Sequence, residues 1–291
     1  MKALTYNQAP ITELRDSLLE EASIRLLIKC EYLNHPLVSG NKWWKLKYNL
    51  VEAAKLGHKK LLTFGGAYSN HIYAMAAAAY ELGFESVGII RGEETLPLNS
   101  TLAFVKEKGM HLHYVTREDY RKKTEPDFKE KLIDLFGDFY LIPEGGTNEL
   151  AVKGCEEFGK QLNREVEFDY LCLPVGTGGT IAGIISGLDT NIKIIGFPAL
   201  KGAQFLENEI RVYTQKENWQ LMYDYHFGGY AKSTKGLTDF MEQVERAHNI
   251  PLDPIYTNKM MFGIFDLVKQ GFFERGSTVL VLHTGGLQGK F

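Results

Sequence analysis

Apolar runs and helical patterns alternate along almost the whole chain. Residues 60–64, 86–90, 111–115, 139–142, 170–175, 193–197 and 278–282 are short apolar runs of strand length. Between them, residues 70–82, 101–108, 127–136, 149–162 and 181–188 carry helical patterns, and Gly83 and Gly109 stand where two of these helices end. Strands separated by helices make βαβ units. The pattern therefore predicts an α/β protein of open, twisted, mainly parallel sheets with flanking helices, with enough units for two sheets in two lobes.

Ligands in open α/β sheets bind beyond the carboxyl ends of the strands. Four apolar runs end in glycines: Gly65-Gly66, Gly145-Gly146, Gly176 and Gly285-Gly286. Loops placed this way converge on one small-molecule cleft. The strongest is Gly176-Thr177-Gly178-Gly179-Thr180, lying between a strand and a helix. Its glycines let the backbone approach an anion, the helix start offers free N–H groups, and Thr177 and Thr180 add hydroxyls. The loop lacks the lysine of a triphosphate-binding loop, and Gly183 falls one position late for a dinucleotide fingerprint. A single phosphate on a small cofactor suits it better.

A second unusual block is Ser39-Gly-Asn-Lys-Trp-Trp-Lys-Leu-Lys-Tyr48, in which Gly40-Asn41 reads as a turn. Aromatic neighbours can desolvate an ammonium and lower its pKa, as a Schiff-base or general-base lysine requires. Spacing alone does not choose among Lys42, Lys45 and Lys47.

Composition narrows the classes. The 291 residues hold 33 Lys+Arg against 36 Asp+Glu, a formal charge of −3, with 44% hydrophobic residues. That balance leaves no electrostatic footprint for nucleic acid or an anionic membrane. Residues 170–188 are uncharged, but Pro174 and five glycines make them strand, loop and helix rather than a membrane span. Cys30, Cys155 and Cys172 form no CxxC motif and read as buried free thiols. No secretory leader pattern opens the chain, so a cytoplasmic location is the expectation. His111 and His113 share one strand face without a third ligand nearby, so no metal site is expected.

Taken together, these segments resemble the 1-aminocyclopropane-1-carboxylate deaminase and D-cysteine desulfhydrase family, pyridoxal-phosphate enzymes of the tryptophan-synthase-β type (fold-type II). The resemblance runs through nearly the whole chain in order. Gly40-Asn41-Lys42 with Lys45-Leu46 resembles the cofactor-lysine segment, which implies Lys42 as the Schiff-base lysine. Gly65 to His71 is similar to the family's Gly-Gly-x-x-Ser-Asn-His loop. That implies Asn70 at the cofactor's ring oxygen, and Ser69, Asn70 and His71 on the substrate side. Pro143 to Asn148 is similar to a further glycine turn, and Gly176, Thr177, Gly178, Gly179 and Thr180 to the cofactor phosphate loop. Gly228-Gly229-Tyr230 and Asp253-Pro-Ile-Tyr256-Thr257 resemble the segments that supply substrate-side tyrosines, and His283-Thr284-Gly285-Gly286 the terminal motif.

The resemblance implies pyridoxal 5'-phosphate as cofactor, a small amino acid as substrate, and a homodimer. Cyclopropane-opening members carry Glu where this chain has Thr257, and desulfhydrase-type members carry Thr there and at Thr284. A neutral hydroxyl at the ring nitrogen favours β-elimination, so D-cysteine conversion to pyruvate, ammonia and hydrogen sulfide is the expected activity, with Lys42, Ser69, Tyr230 and Tyr256 as catalytic residues. Two alternatives remain: a cyclopropane-opening deaminase giving 2-oxobutanoate, and a cofactor-binding protein with little turnover. A nicotinamide-dependent oxidoreductase built on Gly176 to Gly183 leaves the lysine block and the terminal motif unexplained. Trp44, Lys47, Tyr73-Ala74 and Ala231-Lys232-Ser233 depart from the family pattern, and these departures are expected to border the substrate. Residues 48–154 are expected to form a small domain inserted into a large one made of 1–47 and 155–291.

Overall fold

The computed structural model describes residues 3–290. Strand β1 (Ile11–Leu14), helix α1 (Ser17–Ala22) and strand β2 (Arg25–Lys29) open the chain, with β1 antiparallel to β2. Gly40 then leads into α2 (Asn41–Lys55). The next stretch is β3 (Lys60–Gly65), α3 (Asn70–Leu82), β4 (Glu85–Arg91), α4 (Ser100–Glu107), β5 (His111–Val115), α5 (Arg117–Arg121), α6 (Pro126–Phe136) and β6 (Tyr140–Ile142). Its four strands form an all-parallel sheet in the order β5-β4-β3-β6.

The chain continues through α7 (Glu149–Glu165), β7 (Tyr170–Val175), α8 (Gly179–Gly187), β8 (Lys193–Pro198), α9 (Phe205–Arg211), β9 (Trp219–Leu221), α10 (Lys235–His248), α11 (Thr257–Lys269) and β10 (Thr278–Leu282). With β1 and β2 these strands make a six-stranded sheet, β1-β2-β10-β7-β8-β9, parallel except at the β1 edge. The protein is thus an α/β structure of two open sheets with flanking helices. β7 and β3 lie inside their sheets, which explains why both read as unbroken apolar runs: residues 170–175 and 61–65 are all buried.

The expected domain boundaries fall inside helices. Residues 47 and 48 lie within α2, and 154 and 155 within α7, whereas the strands of the two sheets change over between β2 and β3 and between β6 and β7. The two helices are continuous because they pack on each other. A Cβ on Gly154 of α7 would run into the Trp44 carbonyl of α2. Gly183 and Gly187 of α8 likewise admit the Val152 and Glu156 carbonyls of α7. Gly183, one position late for a dinucleotide fingerprint, is therefore a helix-packing glycine.

No helix among the described residues is long and apolar enough to cross a membrane. Residues 170–188 divide into β7, a glycine turn and α8. Cys30, Cys155 and Cys172 are buried free thiols. His111 and His113 both lie against Phe136, with ring centroids 5.7 and 5.3 Å away. Among the described residues no cluster of His, Cys, Asp or Glu is arranged to hold a metal ion.

Candidate active site

The turns that follow β3, β6, β7 and β10 open onto one cavity of about 940 Å³, lined among others by Gly66, Gly145, Gly176, Gly178 and Gly286. The lysine block joins them from α2. Gly40, at φ +70°, caps that helix, and a Cβ there would collide with the Thr284 carbonyl. The Asn41 N–H donates to the same carbonyl at 3.3 Å. Two segments far apart in sequence are therefore one piece of structure, and glycine is what lets them touch.

The Gly40-Asn41 pair read as a turn opens a helix that runs from Asn41 onward, so Lys42 and Lys45 are one turn apart on one face. Both line the cavity, and Lys45 is fully buried. Their hydrogen-bond partners are neutral oxygens. Lys42 Nζ donates to Asn41 Oδ1 at 3.4 Å, and Lys45 Nζ to Thr147 Oγ1 at 2.8 Å and Thr177 Oγ1 at 3.4 Å. Burial pushes the Lys42 amine down to about 8. Lys45 is pushed down to about 7, by burial first and then by the Lys42 charge. Trp44 and Lys47 lie elsewhere on the helix. Trp44 donates to Glu31 Oε2 at 2.9 Å and stacks on Phe158 of α7, while Lys47 pairs with Glu157 of α7 at 2.7 Å. Neither lines the cavity, which corrects the expectation that these two departures border the substrate. Tyr73, Ala74 and Ala231 do line it, whereas Lys232 and Ser233 do not.

The loop after β7 turns at Gly178 (φ +78°) into α8, so the unpaired N–H groups of that helix sit at the cavity. Thr177 Oγ1 lies 2.6 Å from Thr147 Oγ1, and Asn41 Nδ2 donates to Thr180 Oγ1 at 2.8 Å. A Cβ on Gly179 would strike the Thr147 side chain, and the Tyr256 hydroxyl leaves little space beside Gly176. Two desolvated amines and a helix N-terminus, with no acid ion-paired to them among the described residues, suit a dianion. This donor set fits a phosphate ester whose carrier also presents a group for the second amine.

On the opposite wall, Ser69 caps α3, its Oγ accepting from the Ile72 N–H at 3.3 Å. Asn70 Oδ1 accepts from Gln288 Nε2 at 2.7 Å. The Thr63 hydroxyl donates to the Ile142 carbonyl at 2.7 Å, so at 2.9 Å it accepts from His71 Nε2–H. That tautomer leaves His71 Nδ1 an unpaired buried acceptor. Burial, helped by Lys42 and Lys45, keeps the ring neutral by holding its pKa well below the usual value. The Tyr230 and Tyr256 rings approach edge-on, 6.1 Å apart, and burial raises both phenol pKa values.

Ser69, Asn70, His71, Tyr230, Tyr256, Thr284, Lys42, Gly176, Thr177, Gly178 and Thr180 all line the cavity. Thr257, with Thr284 a candidate for the cofactor's ring nitrogen, is not among the lining residues. It is fully buried, donates its hydroxyl to Asp253 Oδ2 at 2.8 Å, and accepts from the Asp253 N–H at 2.8 Å. Lys45 and Thr147 are site residues that the sequence reading did not assign. Once α2 is seen as a helix, the three-residue step from Lys42 to Lys45 is the signal that finds the first. Thr147 belongs to the Pro143 to Asn148 turn already matched in sequence, and its role comes from its contact with the loop after β7.

The chain matches the family model of pyridoxal-phosphate dependent enzymes over residues 3–285. A Thermotoga maritima protein provisionally named as a 1-aminocyclopropane-1-carboxylate deaminase is 31% identical over 308 aligned positions, covering 99% of this chain and 96% of that protein. The Arabidopsis thaliana mitochondrial protein named as a bifunctional D-cysteine desulfhydrase/1-aminocyclopropane-1-carboxylate deaminase is 28% identical, covering 87% of this chain and 70% of its own. A solved ACC deaminase homologue superposes with a TM-score of 0.88 at 28% identity, over 99% of this chain and 92% of that one. A fold shared from end to end, and a family model spanning both sheets, place the chain among the pyridoxal-phosphate dependent enzymes, on the branch that holds 1-aminocyclopropane-1-carboxylate deaminases and D-cysteine desulfhydrases.

Proposed function

We propose that the protein catalyses β-elimination on a small amino acid and turns D-cysteine and one water into pyruvate, ammonia and hydrogen sulfide. The observation that carries this reading is the wall of the cavity at Thr284, where a threonine lines the space, together with Thr257 at the position where cyclopropane-opening members carry Glu. Of the two carboxylates that line the cavity, Glu144 pairs with Lys123 at 3.3 Å and Glu209 lies beside Gly178. The buried Asp253 carboxylate is taken up by the N–H groups of Ile255, Tyr256 and Thr257 and by the Thr257 hydroxyl.

Pyridoxal phosphate, when bound, supplies an electron sink for the pair released at the amino acid α-carbon. Lys45, Thr177, Thr180 and the backbone N–H groups of Gly176 to Gly179 would hold its phosphate, and Asn70 its ring hydroxyl. The Lys42 amine, with its pKa near 8, is partly neutral at physiological pH and can take the α-proton. Ser69 keeps a hydroxyl proton for the substrate carboxylate. Tyr230 and Tyr256 stay protonated because burial disfavours the phenolates, so either can give a proton to a departing thiolate. The side chains of the cavity thus divide into anion holders, one base and two acids.

The test is a panel of D-cysteine, L-cysteine and 1-aminocyclopropane-1-carboxylate, assayed for sulfide and for keto acid. Sulfide and pyruvate in equal amounts from D-cysteine are expected. Lys42→Ala should lose the visible cofactor band and about 10³-fold or more of the rate. 2-Oxobutanoate from the cyclopropane substrate, with no sulfide from D-cysteine, refutes the reading.

A further inference from the structure

Three cationic side chains from the small sheet's side line the cavity: Arg91 at the end of β4, Arg117 at the start of α5, and Lys123 just beyond it. Lys123 is engaged by Glu144. Arg91 and Arg117 have no carboxylate within 4 Å among the described residues, and Glu93 and Glu94, close by in sequence, do not line the cavity. Arg91 is nevertheless held in place. Its guanidinium lies 5.7 Å from the centroid of the buried Tyr120 ring, which Lys123 Nζ also approaches, at 4.9 Å. Arg91 Nη2 lies 3.6 Å from where a Cβ of Gly66 would stand, at van der Waals contact. This puts the guanidinium over the same loop that carries Ser69 and Asn70. The volume of about 940 Å³ is at the upper end of the roughly 300–1,000 Å³ usual for small-molecule sites.

We propose that the preferred substrate carries an anionic group at the far end of its side chain, received by Arg91 and Arg117. This rests on the β-elimination reading and narrows its substrate class to β-substituted alanines ending in a carboxylate or phosphate, of which cysteine is a minimal analogue. The chemistry is unchanged. The α-proton leaves to Lys42, the bond from Cβ to the substituent breaks with its electron pair going to the substituent, and one water releases pyruvate and ammonium. For a phosphate ester the departing group is inorganic phosphate.

The holoenzyme's visible band reports amino acid binding whether or not turnover follows. It would be titrated with each enantiomer of O-phosphoserine against serine, and of aspartate against asparagine, while pyruvate release is followed with O-phosphoserine and cysteine. The expected result is binding about 10- to 100-fold tighter for an anionic member than for its neutral partner, in at least one pair. Arg91→Gln and Arg117→Gln should each erase most of that gap, raising KM for the anionic substrate while leaving kcat and the cysteine parameters unchanged. The phosphate and carboxylate arms identify which anion is preferred. Equal binding within both pairs overturns the proposal, and so does an equal loss on neutral and anionic ligands in both variants. Tight, arginine-dependent anion binding without pyruvate from any substrate upholds the anion site and removes the β-elimination reading instead.

Discussion

On the cofactor wall of the cavity, Lys45, Thr147 and Thr177 bond one another and Asn41 bonds Thr180, across three segments of chain. On the small-sheet wall, Arg91 and Arg117 stand exposed, with no carboxylate paired to them among the described residues. The first wall fixes its side chains through contacts with one another and leaves the N–H groups at the start of α8 for an anion, while the second keeps its charge in reserve. A site that must retain one cofactor through many turnovers benefits from the first arrangement. A site that must admit and release successive substrates benefits from the second. The departures from the family pattern divide along the same line. Trp44 and Lys47 repack α2 against α7 behind the cofactor wall, while Tyr73, Ala74 and Ala231 face the space.

The sharpest way to break the cofactor wall without touching a donor is Gly40→Ala. The new methyl would meet the Thr284 carbonyl on a backbone held at φ +70°. Backbone strain and overpacking together predict a loss of about 2–4 kcal/mol, read from the urea midpoint, with weaker cofactor retention. The same substitution at the open, positive-φ Gly57, where a Cβ meets nothing, should leave retention untouched.

Titration gives the next largest effect. The neutral amine is the form that attacks an aldehyde, and Lys42 sits near 8 rather than the ordinary 10.5. Because its pKa is lowered, the neutral fraction grows as pH rises and saturates early. The rate at which apoprotein takes up pyridoxal phosphate should climb about tenfold per pH unit below 8 and flatten above it, as followed by stopped-flow absorbance. A rate still climbing at pH 10 would show an amine in ordinary solvent. The smallest effect belongs behind the wall. Lys47→Met removes a half-exposed ion pair with Glu157, and should cost no more than about 1 kcal/mol of stability with KM and kcat unchanged.

Much of the fold is legible in local pattern. Residues 70–82 read as a helix because Asn70 to Leu82 is Ala-rich and Gly83 closes it in the left-handed conformation. The strand at 170–175 reads true because both its faces are covered. The segments left unread are those whose local signals conflict. Helix α2 starts with two aromatic residues and three lysines behind a Gly-Asn pair, and its helicity comes from packing on α7 and on the Thr284 turn. Lys29 makes the end of β2 look polar, yet it is buried, because Glu165 at 2.6 Å and the Ala9 carbonyl at 2.7 Å receive its ammonium.

Residue types and their order along the chain determined the class of chemistry, since glycine turns after strands and a lysine among aromatics are properties of local backbone and side chain. Which of those residues meet was decided only by tertiary structure. Thr257 and Thr284 are both threonines in matching motifs, yet the hydroxyl of the first closes a loop onto Asp253 and the second residue lines the cavity. Lys42 and Lys45 face the cavity while Lys47 turns to Glu157. Helix phase and the close approach of one backbone to another set these outcomes, and neither is written in any single stretch of sequence.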